Sequence, residues 1–123
     1  MNAGPFDIAI LLPCYNEAGT IGDVVHGFRQ ALPSARIYVY DNNSTDGTAL
    51  KAMLAGASVA RERRQGKGHV VRRMFADIDA DIYIMADGDG TYSPADAEEL
   101  VRTLITERAD MVVGTRRGDL ADA

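Results

Sequence analysis

Short apolar runs alternate with stretches of helical periodicity along the chain. Residues 8–12, 37–40 and 82–86 are runs of β-branched, aliphatic and aromatic residues, which are typical of strands buried in a sheet. Pro13 is expected to end the first run. Weaker runs at 57–60 and 111–114 predict two further strands.

The stretches between the strands have the spacing of amphipathic helices. Thr20 and Asp23 predict a capping box at the start of the first helix, and Pro33 is expected to end it. Gly56 suits the end of the second helix, and Ser93 with Pro94 the start of the fourth. The predicted apolar faces are Ile21, Val24, Val25, Phe28 and Leu32; Leu50, Met53 and Leu54; Val71, Met74, Phe75 and Ile78; and Ala97, Leu100, Val101 and Leu104.

Alternating strands and helices predict an α/β fold, with a mainly parallel sheet flanked by helices on both faces. The length of 123 residues, without linker or repeat, predicts a single domain over residues 1–123. In parallel sheets, ligands bind at the carboxyl ends of the strands. We therefore expect five polar stretches to meet at one site: residues 14–17, 41–46, 61–67, 87–89 and 115–117.

Composition and charge narrow the class of protein. A hydrophobic content of 46% is ordinary for a globular domain, and a net charge of −5 argues against a general nucleic-acid binder. The single cysteine, Cys14, fits a reducing compartment. The N-terminal apolar run is too short for a signal sequence or membrane span, so we expect a soluble, cytoplasmic protein.

The segment Asp87-Gly88-Asp89-Gly90 follows the strand at 82–86. Carboxylates two positions apart on extended backbone point to the same side, and at about 5 Å they repel by roughly 3 kcal/mol. An Mg²⁺ or Mn²⁺ ion would relieve this repulsion, because both ions take carboxylate and phosphate oxygens. A solvated Asp-Gly turn is the alternative. An EF-hand calcium loop is disfavoured, since Tyr92 stands at the position of its obligatory glycine.

A basic cluster follows the weak strand at 57–60. Arg61, Arg63, Arg64 and Lys67 lie within one predicted loop. Such a cluster suits a small phosphorylated ligand, and a solvated basic face is the other interpretation.

The motifs at the strand ends resemble those of a known enzyme family. They are Pro13-Cys14-Tyr15-Asn16-Glu17, Asp41-Asn42-Asn43-Ser44-Thr45-Asp46-Gly47-Thr48, Gly66-Lys67-Gly68, Asp87-Gly88-Asp89 and Gly114-Thr115-Arg116. In this order they resemble the N-terminal, nucleotide-binding half of an inverting family 2 glycosyltransferase, which has the Rossmann-like GT-A fold. Within that family the chain looks most similar to dolichyl-phosphate mannose synthases and their polyprenyl-phosphate relatives.

The resemblance implies roles for individual residues. The first loop would border the nucleoside, Val39 and Asp41 would meet base and ribose, and Arg116 would lie at the phosphate or sugar end. The implied nucleotide-binding residues are Pro13, Tyr15, Glu17, Val39, Asp41, Lys67, Asp87, Gly88 and Arg116. Asp87 and Asp89 are the implied catalytic residues and the ligands of a divalent metal, Mg²⁺ or Mn²⁺, in a motif of the DXD type.

Two departures from the family pattern matter. Asn42-Asn43 stands where many relatives have Asp-Gly, which leaves the base of the donor open. The family's catalytic domain continues beyond the strand at 111–114. We therefore expect a donor-binding part that is truncated at its C-terminus and forms homodimers through uncovered sheet edges.

Three functions are compatible with these residues. The first is metal-assisted, inverting sugar transfer from a UDP- or GDP-linked donor, with a polyprenyl phosphate at the cytoplasmic membrane face as one acceptor. The second is a nucleotide-binding module without turnover. The third is a metal-dependent nucleotidyltransferase on a similar sheet.

Overall fold

A computed structural model describes residues 6–91, 93–107, 112–114 and 120–122. Strands and helices alternate as predicted over most of this range. The elements are β1 (Ile8–Cys14), α1 (Ile21–Ala31), β2 (Arg36–Asp41), α2 (Thr48–Leu54), β3 (Ser58–Arg61), α3 (Lys67–Asp77), β4 (Ile82–Met85), a 3-10 turn (Pro94–Asp96), α4 (Ala97–Glu107), β5 (Val112–Gly114) and β6 (Leu120–Asp122).

Strands β1 to β4 form a parallel sheet in the order β3-β2-β1-β4. This arrangement confirms the predicted α/β fold and places the carboxyl ends of these strands along one edge. β5 differs from the prediction, because it pairs antiparallel with β6 in a separate two-stranded sheet. The loop after β5 is therefore not shown to join the other four, and residues 115–117 lie outside the described ranges.

Side chains of β1 alternate between two packed layers. Ile8, Ile10 and Leu12 belong to the larger core, whereas Ala9 and Leu11 belong to the smaller one. The larger core contains residues of α1, α2 and α4, and the smaller contains Val70 and Met74 of α3. Helices thus cover both faces of the sheet, and the prediction that β1 is buried on both sides is confirmed.

Pro13 does not end β1, contrary to expectation. Proline has no amide hydrogen, but at this position the sheet has no hydrogen bond that would need one. The amide of Ala86 donates to Leu11 O from the β4 side, and that of Asn42 donates to Cys14 O from the β2 side. Alternation along β1 turns the backbone of Pro13 towards β4, whose pairing with β1 ends at Leu11. Proline is tolerated in a strand where the ladder is absent on that side.

The buried face of α2 also differs from the prediction. Leu50, Met53 and Leu54 are 59%, 56% and 79% exposed, whereas Thr48 and Ala52 are fully buried. Thr48 and Ala52 are one helical turn apart on the side that lies against α1 and the sheet. Their small side chains allow that close approach, so the predicted apolar face is wrong.

The predicted helix ends agree well with the structure. Gly56 has a φ of 99° and donates to Met53 O, while the amide of Ala57 donates to Ala52 O, as in a Schellman motif. α1 ends at Ala31, two residues before Pro33, where the sequence predicted a stop. No helix within the described ranges has both the length and the apolar content to cross a bilayer.

Candidate functional site

The loops after β1 and β2 are fastened together by hydrogen bonds at the carboxyl edge of the sheet. The amide of Asn16 donates to Ser44 Oγ (2.8 Å), and that of Glu17 donates to Thr48 Oγ1 (2.9 Å). Thr48 in turn donates to Asp46, and this bond lowers the pKa of the Asp46 carboxyl. Thr48, the first residue of α2, therefore joins two loops of the site.

The acidic motif packs directly against the start of α1. A Cβ on Gly88 would lie 2.5 Å from Cys14 Sγ and 3.2 Å from Ile21 Cδ1, so glycine is required by close approach. Thr20 Oγ1 donates to the carbonyl of Gly88 (2.6 Å). The capping box predicted with Asp23 does not form in the described part of the chain, because the Thr20 hydroxyl makes this longer-range contact.

Lys67 and Asp87, which the family resemblance implies as nucleotide-binding residues, lie close together. Lys67 Nζ lies 2.6 Å from Asp87 Oδ1, with the two side chains 60% and 38% exposed. Asp89 Oδ1 accepts from the amide and the hydroxyl of Thr91, at 3.0 and 2.7 Å. Burial, followed by the charges of Asp89 and Asp87, raises the pKa of Glu17. The carboxylates of the first loop and the acidic motif therefore share one electrostatic environment.

The chemistry of the acidic motif fits a hard divalent cation. Asp87 and Asp89 offer carboxylate oxygens, which Mg²⁺ and Mn²⁺ prefer. Among the described residues, no group of three or more His, Cys, Asp or Glu side chains is arranged to hold a metal ion. Two carboxylates are enough for an ion whose other ligands are phosphate oxygens and water. The motif thus suits a metal that arrives with a phosphorylated ligand.

Asp41 is a buried carboxylate with an unpaired oxygen. Its residue is 5% exposed, and Oδ1 has no hydrogen-bond partner among the described residues. A buried acceptor without a partner costs about 1–3 kcal/mol, so such an atom marks a place where a ligand donor fits. Asp41 stands at the end of β2, on the ligand edge of the sheet.

Cys14 has a structural role in this site. Burial, and then the charges of Glu17, Asp41, Asp87 and Asp89, raise the pKa of its thiol far above the usual range. The protonated thiol donates to Leu12 O at 3.5 Å. Its buried, protonated thiol is therefore a poor nucleophile, and the negative charges of these four carboxylates all act on it.

The remaining predicted site residues differ in their exposure and position. Tyr15 is 53% exposed beside the site, whereas Pro13 is buried within β1. Val39 is fully buried in the larger core, and its contact with base or ribose stays a prediction. Arg116 lies outside the described residues.

Comparison with known proteins decides the family. Residues 9–122 match the family model described as Glycosyl transferase family 2. The chain belongs to glycosyl transferase family 2. This family 2 chain is 54% identical over 112 residues to Protein RfbJ of Shigella flexneri, covering 91% of the chain and 87% of RfbJ. It is 44% identical over 117 residues to Glycosyltransferase AglJ of Haloferax volcanii, covering 94% of the chain but 38% of AglJ.

Solved structures of related enzymes show the same fold. Glucosyl-3-phosphoglycerate synthase from Mycobacterium tuberculosis, bound to Mn²⁺, UDP and glucosyl-3-phosphoglycerate, has a TM-score of 0.73 and 28% identity. The match covers 83% of this chain and 40% of that one. The same enzyme with UDP has a TM-score of 0.77. The GT-A fold is confirmed, and relatives that are glycosyltransferases support the predicted transferase activity.

Proposed function

We propose that this family 2 chain binds the nucleoside diphosphate of a UDP- or GDP-linked sugar and forms the donor side of a glycosyl-transfer site. The observation that carries the proposal is that the carboxylates of Glu17, Asp41, Asp87 and Asp89 stand at strand ends and in the following loops along one edge of the sheet. Such a concentration of negative charge at the ligand edge requires cations, and Lys67 beside Asp87 supplies one of them.

The residues divide into a nucleoside end and a diphosphate end. Asp41 accepts a hydrogen bond from the base or ribose, for which its unpaired Oδ1 is suited. Tyr15 and Glu17 border the nucleoside from the loop after β1, held in place through Thr48. Lys67 and Gly88 lie at the diphosphate end, and Arg116 belongs there by its family motif.

Asp87 and Asp89 would hold Mg²⁺ or Mn²⁺ together with the diphosphate oxygens. When bound, the ion acts as a Lewis acid that neutralises charge on the leaving diphosphate. Related structures with Mn²⁺ or Mg²⁺ and UDP support this choice of ion. Thr20 and Cys14 keep the loop in place by contacting Gly88, and Lys67 adds a positive charge beside it.

A polyprenyl phosphate is the acceptor class that we favour, which agrees with the resemblance to dolichyl-phosphate mannose synthases. A phosphate oxygen is already anionic and attacks without a general base, with inversion at the sugar carbon. Transfer would then take place at the cytoplasmic face of a membrane. β3 and β4 are the outer strands of the described four-stranded sheet, and we propose that the homodimer forms through one of these edges.

The reaction products test this assignment. The chain is incubated with Mn²⁺, radiolabelled UDP- or GDP-sugars and polyprenyl phosphate. Release of UDP or GDP with label in the lipid would identify sugar transfer. Release of pyrophosphate would instead identify a nucleotidyltransferase. Tight nucleotide binding without either product would identify a binding module, and the family match favours sugar transfer over both.

A further inference from the structure

Asn42, at the end of β2, holds the loop that follows β3. It is 4% exposed, and Nδ2 donates to Glu62 O (2.8 Å) and Arg64 O (2.9 Å). Oδ1 accepts from the amide of Gly66 (2.9 Å) and from Gln65 Nε2 (3.2 Å). Both donors and both acceptor positions of this buried amide are therefore used on residues 62–66.

Asn43 contacts the same loop from its outer side. Nδ2 donates to Arg63 O (2.9 Å) and Gln65 Oε1 (3.1 Å), and Oδ1 accepts from Arg61 Nε (3.2 Å). Its φ of 66° lies in the left-handed region, which aims the side chain at the loop. Asn42 and Asn43 together form what we call the asparagine clamp.

The clamped loop leads directly into α3 and the proposed site. Gly66, which Asn42 holds, is the residue before α3, and Lys67 is its first residue. Lys67 Nζ lies 2.6 Å from Asp87 Oδ1. The clamp therefore holds the backbone next to Lys67, from which the ammonium group reaches the acidic motif.

We propose that Asn42 and Asn43 are positioning residues that hold the loop after β3, with its basic cluster, in its binding geometry before the nucleotide arrives. The inference rests on the proposed donor site and concerns its diphosphate end. A loop that is already ordered loses less conformational entropy on binding, so affinity for the phosphorylated ligand is higher. Without the clamp, the cations of residues 61–67 would have to be ordered by the ligand itself.

Asn43→Gly is the decisive variant. Glycine occupies a φ of 66° at no steric cost, so the turn is kept while every side-chain bond of Asn43 is lost. Asn16→Gly is a matched control, because Asn16 also has a positive φ of 52° but bonds to residues 44 and 45. Asn42→Ala removes more bonds from a buried position, and a failure of that variant to fold would leave Asn43→Gly to decide.

The first readout is limited trypsin digestion without nucleotide, because the loop carries its own cleavage sites. Cleavage after Arg63 and Arg64 is expected to become at least fivefold faster in Asn43→Gly and to stay unchanged in Asn16→Gly. Cleavage after Arg102 on α4 serves as an internal reference in each digest. Equal rates in Asn43→Gly and the unmodified chain would overturn the clamp.

The second readout compares ligands with and without phosphate. If the clamp had only a structural role, its loss would weaken the binding of both kinds of ligand equally. UDP and GDP, each with Mn²⁺, are expected to bind Asn43→Gly several-fold more weakly, whereas uridine and guanosine bind equally well. Faster cleavage with unchanged diphosphate affinity would overturn the positioning role. If the unmodified chain binds neither UDP nor GDP, the donor site itself is wrong, and the digestion result still decides whether the clamp exists.

Discussion

Asp41 combines two properties that conflict in a purely structural residue, because it is buried and one carboxylate oxygen lacks a partner within the described residues. Leaving a buried acceptor unpaired is unfavourable for folding. The arrangement is readily explained if the atom serves a ligand, and strain of this kind is often found at binding sites. Asp41 is therefore the residue at which binding and stability are expected to separate.

Asp41→Ala is expected to weaken UDP or GDP binding at least tenfold. Pyrophosphate binding should be unchanged, because Asp41 is assigned to the nucleoside end. The free energy of unfolding should change by no more than about 1 kcal/mol, since the lost oxygen has no partner. Isothermal titration with both ligands and urea denaturation measure these quantities. An equal loss of pyrophosphate binding would show that the assigned role is wrong.

The exposed ion pair of Lys67 with Asp87 contributes little to the stability of the fold. The side chains of Lys67 and Asp87 are 60% and 38% exposed, and pairs of this kind contribute about 0–1 kcal/mol. The pair instead fixes the ammonium group beside the acidic motif. Its importance to the account is the placement of positive charge where a diphosphate is proposed to bind.

At the scale of elements, the acidic loop depends on its packing against β1 and α1. Gly88→Ala would place a methyl group 2.5 Å from the buried Cys14 Sγ. Overpacking of this kind costs about 1–3 kcal/mol and should displace Asp87 and Asp89. We therefore expect a lower melting temperature together with weaker Mn²⁺-dependent nucleotide binding.

Two further variants make the Gly88→Ala result specific. Cys14→Ala combined with Gly88→Ala removes the shortest contact and should recover much of the lost stability. Gly22→Ala in α1 has open space around the new methyl group and should be neutral or slightly stabilising. Equal effects of Gly22→Ala and Gly88→Ala would contradict the packing argument.

The sequence predicted strands and motifs better than it predicted contacts between elements. Runs such as Ile8 to Leu12 depend on local pattern, and the structure confirms them. The hydrogen-bond partner of Thr20 could not be predicted from local pattern. A threonine suits both a helix cap and a hydrogen bond to a distant carbonyl, and the structure has the second. The apolar face predicted from Leu50 and Leu54 was wrong, because apolar spacing does not reveal that the smaller Thr48 and Ala52 face the core.

The same distinction between local pattern and contacts across elements applies to the site residues. Asp87 and Asp89 were predicted because they follow a strand, and Asp41 and Lys67 because they match family motifs. The sheet order places the ends of β2 and β4 along one edge, and the ligand roles of these residues stay predictions. Asn42 was considered only as part of a family motif, and its contacts were not predicted, since its bonds to residues 62–66 depend on β2 and β3 being neighbours. Val39 was assigned to the ligand by family motif, although it lies in the core.

At the scale of the whole molecule, the parallel sheet brings four loops to one edge and leaves the opposite edge to structural contacts. Arg36, for example, forms an ion pair with Asp7 at 2.7 Å at the start of β2. The chain spans 87% of RfbJ but only 38% of AglJ. The described residues therefore show the sheet and the loops at its carboxyl edge, where the donor nucleotide is proposed to bind.

The central claim is that Asp87 and Asp89 bind a nucleoside diphosphate together with a divalent metal. Its most direct measurement is isothermal titration of the chain with UDP and with GDP, in Mn²⁺ and then in chelator. Asp89→Asn is compared with Glu99→Gln, which removes an exposed charge on α4. We predict that one nucleotide binds in Mn²⁺, that chelator or Asp89→Asn weakens it at least tenfold, and that Glu99→Gln has no effect. Equal affinity under all of these conditions would contradict the account.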